Sequence, residues 1–258
     1  MTTISIESLA LPAVMAVAAG VVGCFAVMRR MALASDALSH VALPGIGVAL
    51  VLRVNPVLGG VLALVIGTLL VWALEHRTRL PTEAVIGVVF SAALAIGSML
   101  TSGEELIEAL FGASRRAGPW ELALGSAGAI LVIAFILGVR NRLVIALVSS
   151  DLARTVGVDV RRLDLMYLLA FALTVALGLR YLGVLLMGSL IIIPATTARY
   201  LARSLGGMIG LSVALAVAST LLGTLGAQRL HVAPGPLIIV TAAVFFLLGL
   251  VWHGHRPA

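Results

Sequence analysis

The residues Ser35-Asp36-Ala37-Leu38-Ser39-His40-Val41-Ala42-Leu43-Pro44-Gly45 form a polar stretch inside a strongly apolar sequence. Asp36 and His40 are four residues apart, so on a helix they lie one turn apart on the same face. Asp36 is also the only acidic residue within a long apolar region. A charge in such a region costs about 3 kcal/mol or more, and it usually marks an ion or substrate pathway. Because borderline divalent metals accept carboxylate and imidazole ligands, the pair is a candidate cation site.

The sequence on both sides of this stretch indicates an all-α, polytopic membrane protein. Of the 258 residues, 61% are hydrophobic and only 11% are charged, and the mean hydropathy is +1.18. Apolar runs of about 16 to 22 residues recur, which is the length that crosses a bilayer as a helix. This composition excludes most soluble classes. Arginines between the apolar runs explain the net charge of +6 better than nucleic-acid binding does.

We expect nine transmembrane helices, with eight as the alternative count, in a single membrane domain, 1–258. The apolar runs are residues 9–28, 31–52, 57–74, 84–100, 122–139, 165–179, 182–201, 206–227 and 236–252. Residues 101–121 break the pattern, because three glutamates alternate with apolar residues in a short amphipathic helix that stops at Gly112. A polar segment, residues 140–164, separates the fifth and sixth runs.

The placement of the arginines predicts the orientation of the chain. Basic residues cluster after runs one, three, five and seven and at the C-terminus, and the positive-inside rule assigns these places to the cytoplasm. An odd number of spans then puts the N-terminus outside and the C-terminus inside. Five arginines oppose the rule: Arg53, Arg115, Arg116, Arg180 and Arg229.

The source of energy is constrained by the absence of lysine, since all 17 basic residues are arginine. A Walker A loop needs a lysine that reaches the nucleotide phosphates, so this chain holds no such loop. If ATP drives the protein, another chain hydrolyses it. Within residues 140–164, Ser149 or Ser150 is suited to cap a short helix, with Asp151 in its first turn and Gly157 at its end. That segment is either an ordinary loop or a docking element.

The candidate site has a structural interpretation beside the functional one. Asp36 and His40 are also suited to tie two helices together, but such a hydrogen bond in a membrane contributes only about 0.6 kcal/mol on average. Two ligands are fewer than the roughly four that a zinc-like ion takes. A symmetric homodimer would supply two aspartates and two histidines, and water would otherwise complete the set.

Three further positions are hinge or packing candidates, and one histidine is a candidate metal contact. Pro44 and Pro194 each remove a helical hydrogen bond, and Gly45 lets two backbones approach closely. His231 precedes Pro234-Gly235-Pro236 at the expected outer end of the last span. It either receives the ion from outside or is a plain loop histidine.

Several of these motifs together resemble the membrane permeases of ABC-type zinc/manganese uptake systems, over nearly the whole chain. The stretch Arg29-Arg30-Met31 followed by residues 36–45 is the most specific part. The other matching parts are Leu110-Phe111-Gly112, Asp151-Leu152-Ala153 with Gly157, residues 183–198, and Pro234-Gly235-Pro236. One departure is the segment 113–118, which is basic where the family is expected to have a more neutral loop.

The resemblance implies a type II ABC importer-like permease in a bacterial plasma membrane, working as a homodimer. Two ATP-binding subunits on the cytoplasmic side and an extracytoplasmic metal-binding protein would be its partners. Asp36 and His40 would contact the transported zinc or manganese ion, with no permanently bound cofactor. The residues Asp151, Leu152, Ala153, Arg154 and Gly157 would form the coupling helix that seats in the ATPase.

Two other classes remain as alternatives to an ATP-driven permease. A secondary transporter driven by an ion gradient would use Asp36 and His40 as a proton relay, and it would be favoured by inverted repeats and paired broken helices. An intramembrane enzyme is disfavoured because the sequence contains no HExxH or GxSxG motif. The choice between zinc and manganese is left open, since aspartate and histidine serve both ions.

Overall fold

The computed structural model describes residues 6–78, 80–100, 118–182 and 184–254, apart from some side chains near these limits and those of residues 32–36. Over these ranges the chain forms ten helices and no strand. They are α1 (Ile6–Met28), α2 (Ala32–Val51), α3 (Pro56–Thr78), α4 (Thr82–Leu100), α5 (Pro119–Val148), α6 (Ser150–Thr155), α7 (Val160–Leu182), α8 (Val184–Leu201), α9 (Leu205–Leu230) and α10 (Pro234–Gly254).

The helices agree with the polytopic membrane fold. Seven helices within the described ranges are long and apolar enough to cross a membrane. α2 and α8 add the shorter apolar stretches Ala37–Val51 and Leu186–Leu201, which are parts of helices of 20 and 18 residues. An all-α membrane protein of about nine spans is therefore confirmed. The amphipathic helix expected around Glu104 falls in residues 101–117, outside the described part.

Both predicted boundaries of the polar segment 140–164 are wrong. The sixth span was expected to begin at Leu165, but α7 begins at Val160. The fifth span was expected to end at Val139, but α5 continues to Val148 and so takes up the first part of the segment 140–164. The reason is that no helix breaker follows Val139, and Leu143 is fully buried while Arg140 and Arg142 are exposed. Long arginine side chains keep their charge in water without ending a helix. The polar segment therefore shrinks to α6 and its two short connections.

α1 lies at the centre of the bundle. Of its span, 72% is buried, against 28% for α3 and 22% for α10. α1 packs against α5, α7, α8 and α9, and α2 packs against α3, α4, α7 and α8. The surfaces of α3, α4 and α10 that remain exposed are rich in leucine, isoleucine and valine, as expected for helices that face lipid. The central helices α1, α2 and α8 thus form the frame on which the candidate site is built.

Small residues set the distance between neighbouring helices at two places. Gly45 of α2 and Gly59 of α3 lie against each other, so that a Cβ atom at either glycine would collide with the carbonyl oxygen of the other. Gly23 of α1 lies in the same way against the carbonyl oxygen of Ile191 in α8, three residues before Pro194. Close backbone approach at small residues is a common way for membrane helices to gain packing contacts.

Candidate metal site and the helices that surround it

Asp36 and His40 lie on the first half of α2. Helix rise places Asp36 about 6 Å and His40 about 12 Å from the start of α2, in a helix about 30 Å long, so the pair lies in the half of α2 that follows the turn after α1. The structure describes the backbone of Asp36 but not its side chain. The ring of His40 is partly buried and lies 5.6 Å from the ring of Phe90 in α4, centroid to centroid.

The residues next to His40 are held closely by two neighbouring helices. The Val41 side chain fills the space that a Cβ atom at Gly67 of α3 would need. Leu43 and Pro44 lie against Gly97 of α4, at 3.1 and 3.2 Å from the position of a Cβ atom there. Ser39 is fully buried. The segment that carries the pair is therefore positioned by α3 and α4.

The described residues do not by themselves complete a metal-binding set. Within those ranges, no group of three or more histidine, cysteine, aspartate or glutamate residues is arranged to hold a metal ion. The set would have to include the side chain of Asp36 and ligands from elsewhere, such as a second copy of the chain, a partner protein or water.

His231 lies at a different level of the bundle. It is exposed and ends α9 in the left-handed conformation, with φ of 54°. α9 starts beside Met28 and Val148 and is about 39 Å long at 1.5 Å per residue, so His231 lies at the far end. His40, about 12 Å into α2, is not brought together with it. His231 therefore stays a prediction as a residue that receives the ion.

The α6 segment has the cap and the turn that its sequence favours. The Leu152 N–H donates to Ser149 Oγ at 3.2 Å, which caps the helix, and Asp151 and Arg154 form an exposed ion pair at 3.7 Å. Gly157 has φ of +79°, a conformation that costs other residues more than glycine. Ala153 is fully buried, whereas Leu152 is 52% exposed. α6 thus presents a small charged and apolar surface outward.

Close to α6, the structure reveals a group of contacts that sequence reasoning missed. Arg29, just after α1, donates from Nη2 to Asp164 Oδ1 of α7 at 2.6 Å. Its guanidinium carbon lies 4.6 Å from the ring centroid of Tyr167, and the Tyr167 hydroxyl donates to the carbonyl oxygen of Val22 in α1 at 3.2 Å. Arg29 belongs to the family motif, but a contact across 135 residues has no signal in one sequence.

This end of the bundle, which we call the α6 end, is also open to solvent. Arg199 of α8 donates to the carbonyl oxygen of Val27 at 2.8 Å. Beside it lies an open cleft of about 400 Å³ that is lined by Met28, Val148, Arg199 and Arg203 among others. The cleft lies between the ends of α1, α5 and α8 and the start of α9, directly next to Ser149. A partner that covers α6 would therefore meet a basic recess beside it.

The comparisons with known proteins bear on the whole chain. The model of the ABC 3 transport family matches residues 1–253. The high-affinity zinc uptake system membrane protein ZnuB of Haemophilus influenzae is 31% identical over 235 residues, covering 88% of this chain and 89% of that protein. The manganese import system permease protein ScaB of Streptococcus parasanguinis is 29% identical, covering 90% and 84%.

A solved structure agrees with the sequence comparisons. PsaBC from Streptococcus pneumoniae, determined in complex with Fab, matches with a TM-score of 0.81 and 27% identity, over 94% of this chain and 89% of that one. The family resemblance that the motifs indicated is thereby confirmed. With a family model that spans nearly its whole length, the chain belongs to the ABC 3 transport family.

Proposed function

We propose that this chain is the membrane-spanning permease of an ABC importer that moves zinc or manganese into the cytoplasm. ATP is hydrolysed by two separate ATP-binding subunits, and an extracytoplasmic metal-binding protein delivers the ion. The chain works as a homodimer in a bacterial plasma membrane, with its N-terminus outside and its C-terminus inside. One relative is named as a zinc uptake system membrane protein and another as a manganese import system permease protein, and these names support this substrate class.

The observation that carries the proposal is the place of Asp36 and His40. They lie one turn apart on α2, a helix enclosed by α3, α4, α7 and α8. A carboxylate in a strongly apolar segment is stabilised by a positive partner, and a transported divalent cation would supply one. Asp36 then offsets the loss of hydration of the ion, and neutral His40 adds a nitrogen ligand. The affinity has to stay modest, because a tightly held ion would not leave.

The α6 segment supplies the contact with the ATP-binding subunits. It is exposed, capped at Ser149 and closed by Gly157, and it lies beside the basic cleft of about 400 Å³. Movement of the ATP-binding subunits on binding and hydrolysing ATP would shift α6 and open the ion site alternately to the two sides. His231, at the far end of α9, would then face the metal-binding protein.

The experiment is uptake into vesicles that hold the permease, the ATP-binding subunits and the metal-binding protein. Radioactive zinc and manganese are offered separately, with ATP inside or outside and with proton and sodium gradients collapsed by ionophores. We expect ATP-dependent accumulation of one ion or both without any gradient. Accumulation that follows a gradient and needs no ATP would instead show a secondary transporter, and the proposal would be wrong.

A further inference from the structure

The Arg29–Asp164 ion pair joins two parts of the chain that the proposed function requires to move together. Arg29 and Asp164 are only 12% and 24% exposed, and the atoms that join them are 2.6 Å apart. The stacking of Arg29 on the fully buried Tyr167 adds a second contact with α7. A planar guanidinium that pairs and stacks at once is held in one orientation.

On the α7 side, only a short connection separates the pair from α6. The Val158 N–H donates to the carbonyl oxygen of Ala153 at 2.9 Å, so the connection after α6 folds back on the helix. Asp159 then accepts from the Arg162 N–H at 3.1 Å and caps α7. Asp164 is the fifth residue of α7. A displacement of α6 therefore reaches Asp164 through two short hydrogen-bonded turns.

On the other side, the pair is joined rigidly to α2. The turn after α1 is closed by two backbone hydrogen bonds, from Arg30 N–H to Val27 O at 3.2 Å and from Met31 N–H to Ala26 O at 2.9 Å. Arg30 has φ of 60°, the left-handed conformation of a helix-ending turn. Met31 is buried, and α2 begins at the next residue, four positions before Asp36.

Arg29 also keeps one donor unused. Within the part of the chain that the structure describes, its Nε atom is buried and makes no hydrogen bond. A buried donor without an acceptor in the protein is unfavourable and calls for an explanation. A change of conformation that brought an acceptor to the Arg29 Nε atom would add a hydrogen bond.

We propose that Arg29 and Asp164 are positioning residues that transmit the movement of α6 to α2 and so to Asp36 and His40. This inference rests on the proposed function, since it assumes that α6 receives the movement of an ATP-binding subunit. The ion pair would set how many metal ions cross for each ATP hydrolysed. It would not set how well the ion or the ATP-binding subunits bind.

The test measures ions moved per ATP hydrolysed, in vesicles containing the permease, its ATP-binding subunits and its metal-binding protein. For Arg29→Gln and Asp164→Asn we expect this ratio to fall about tenfold, within the range of typical coupling free energies. The ATP-binding subunits should stay bound and basal ATP hydrolysis should stay unchanged. The charge-reversed double variant, Arg29→Asp with Asp164→Arg, should recover part of the ratio, which a loss of packing alone would not predict.

Arg161→Gln is the matched control on the same helix. The Arg161 guanidinium lies 4.7 Å from the ring centroid of Trp72 and joins α7 to α3 rather than to the turn before α2. We expect Arg161→Gln to keep the wild-type ratio.

Three outcomes decide the inference. Assembled Arg29→Gln and Asp164→Asn with a wild-type ratio would overturn it and leave the ion pair a stabilising contact. If those variants do not assemble, Arg29→Lys and Asp164→Glu are used instead, because they keep the charges and change the geometry. A lowered ratio of ions to ATP in both variants supports the inference. A wild-type ratio in both overturns it. Wild-type vesicles that show no ATP-dependent uptake would instead count against the proposed function itself.

Discussion

Two regions of the bundle are held together by different kinds of contact. Around α2, which carries the proposed ion site, glycines lie directly against backbone or short side chains, as at Gly45 with Gly59 and at Gly97 with Pro44. At the α6 end, charged and aromatic side chains make the contacts, as in Arg29 with Asp164 and Tyr167. Close backbone packing permits one arrangement, because an added atom has no space. Ion pairs and cation–π contacts are directional but reversible, so that end is better suited to rearrange.

The difference suggests that the two regions have different roles during transport. α2, α3 and α4 should move as one body, because the glycine contacts fix the distances between them. The contacts at the α6 end should form and break as that body moves. Substitutions in the first region are therefore expected to damage folding, whereas substitutions in the second should leave a folded protein that transports poorly.

The largest effect is expected for Gly45→Leu. A Cβ atom there would collide with the Gly59 carbonyl oxygen and lie 2.5 Å from the Ala63 Cβ atom. Overpacking typically costs about 1–3 kcal/mol, and a rigid backbone neighbour puts this site at the upper end. We expect little folded protein, measured as the monodisperse fraction in detergent and its melting temperature. Gly138→Leu is the matched control, since nothing lies within 4 Å of a Cβ atom at Gly138. Equal yields from the two variants would contradict the rigid contact.

The second effect concerns transport alone. Asp36→Ala and His40→Ala should lower metal uptake about 100-fold, equivalent to about 2.7 kcal/mol, while the protein stays folded and dimeric. The reason is that each substitution removes one of the two proposed ligands. Uptake of radioactive zinc and manganese measures the effect. His76→Ala, at an exposed histidine whose Nδ1 lies 2.8 Å from the Trp72 carbonyl oxygen, should transport normally. Wild-type uptake by Asp36→Ala would show that the carboxylate does not serve the ion.

The third effect concerns the proposed contact of α6 with the ATP-binding subunits. Gly157→Val forces a β-branched residue into φ of +79°, at a cost of about 1–3 kcal/mol. We expect the turn after α6 to distort, with poor uptake and little stimulation of ATP hydrolysis by the loaded metal-binding protein. Gly157→Asn is the control, because asparagine tolerates the left-handed conformation better than other residues. If the valine variant keeps both activities, α6 is only a loop.

The parts of this architecture that rest on local chemistry could be predicted from the sequence. Hydropathy indicated about nine spans, the spacing of Asp36 and His40 placed them on one helix face, and Ser149 or Ser150 with Gly157 indicated a short capped helix. The end of α5 was missed because arginines were read as a boundary, although helices continue through exposed arginines. The Arg29–Asp164 pair was missed because it depends on how α1 and α7 pack, which one sequence does not specify.

The smallest effect on function is expected for a pair of reporter cysteines that test the orientation. Cys24 is buried, with its Sγ atom 3.6 Å from the Met208 carbonyl oxygen, and Cys24→Ser keeps a donor of similar size. In that background, Ser150→Cys and Val232→Cys place one thiol each at exposed positions on opposite ends of the bundle. Both should transport nearly as wild type. A membrane-impermeant maleimide added to intact cells should label the cysteine at 232 and not the one at 150, and lysis should expose the second. Labelling of the cysteine at 150 in intact cells would place α6 outside, where no ATP-binding subunit reaches it. The roles proposed for α6 and for Arg29 would then both be wrong.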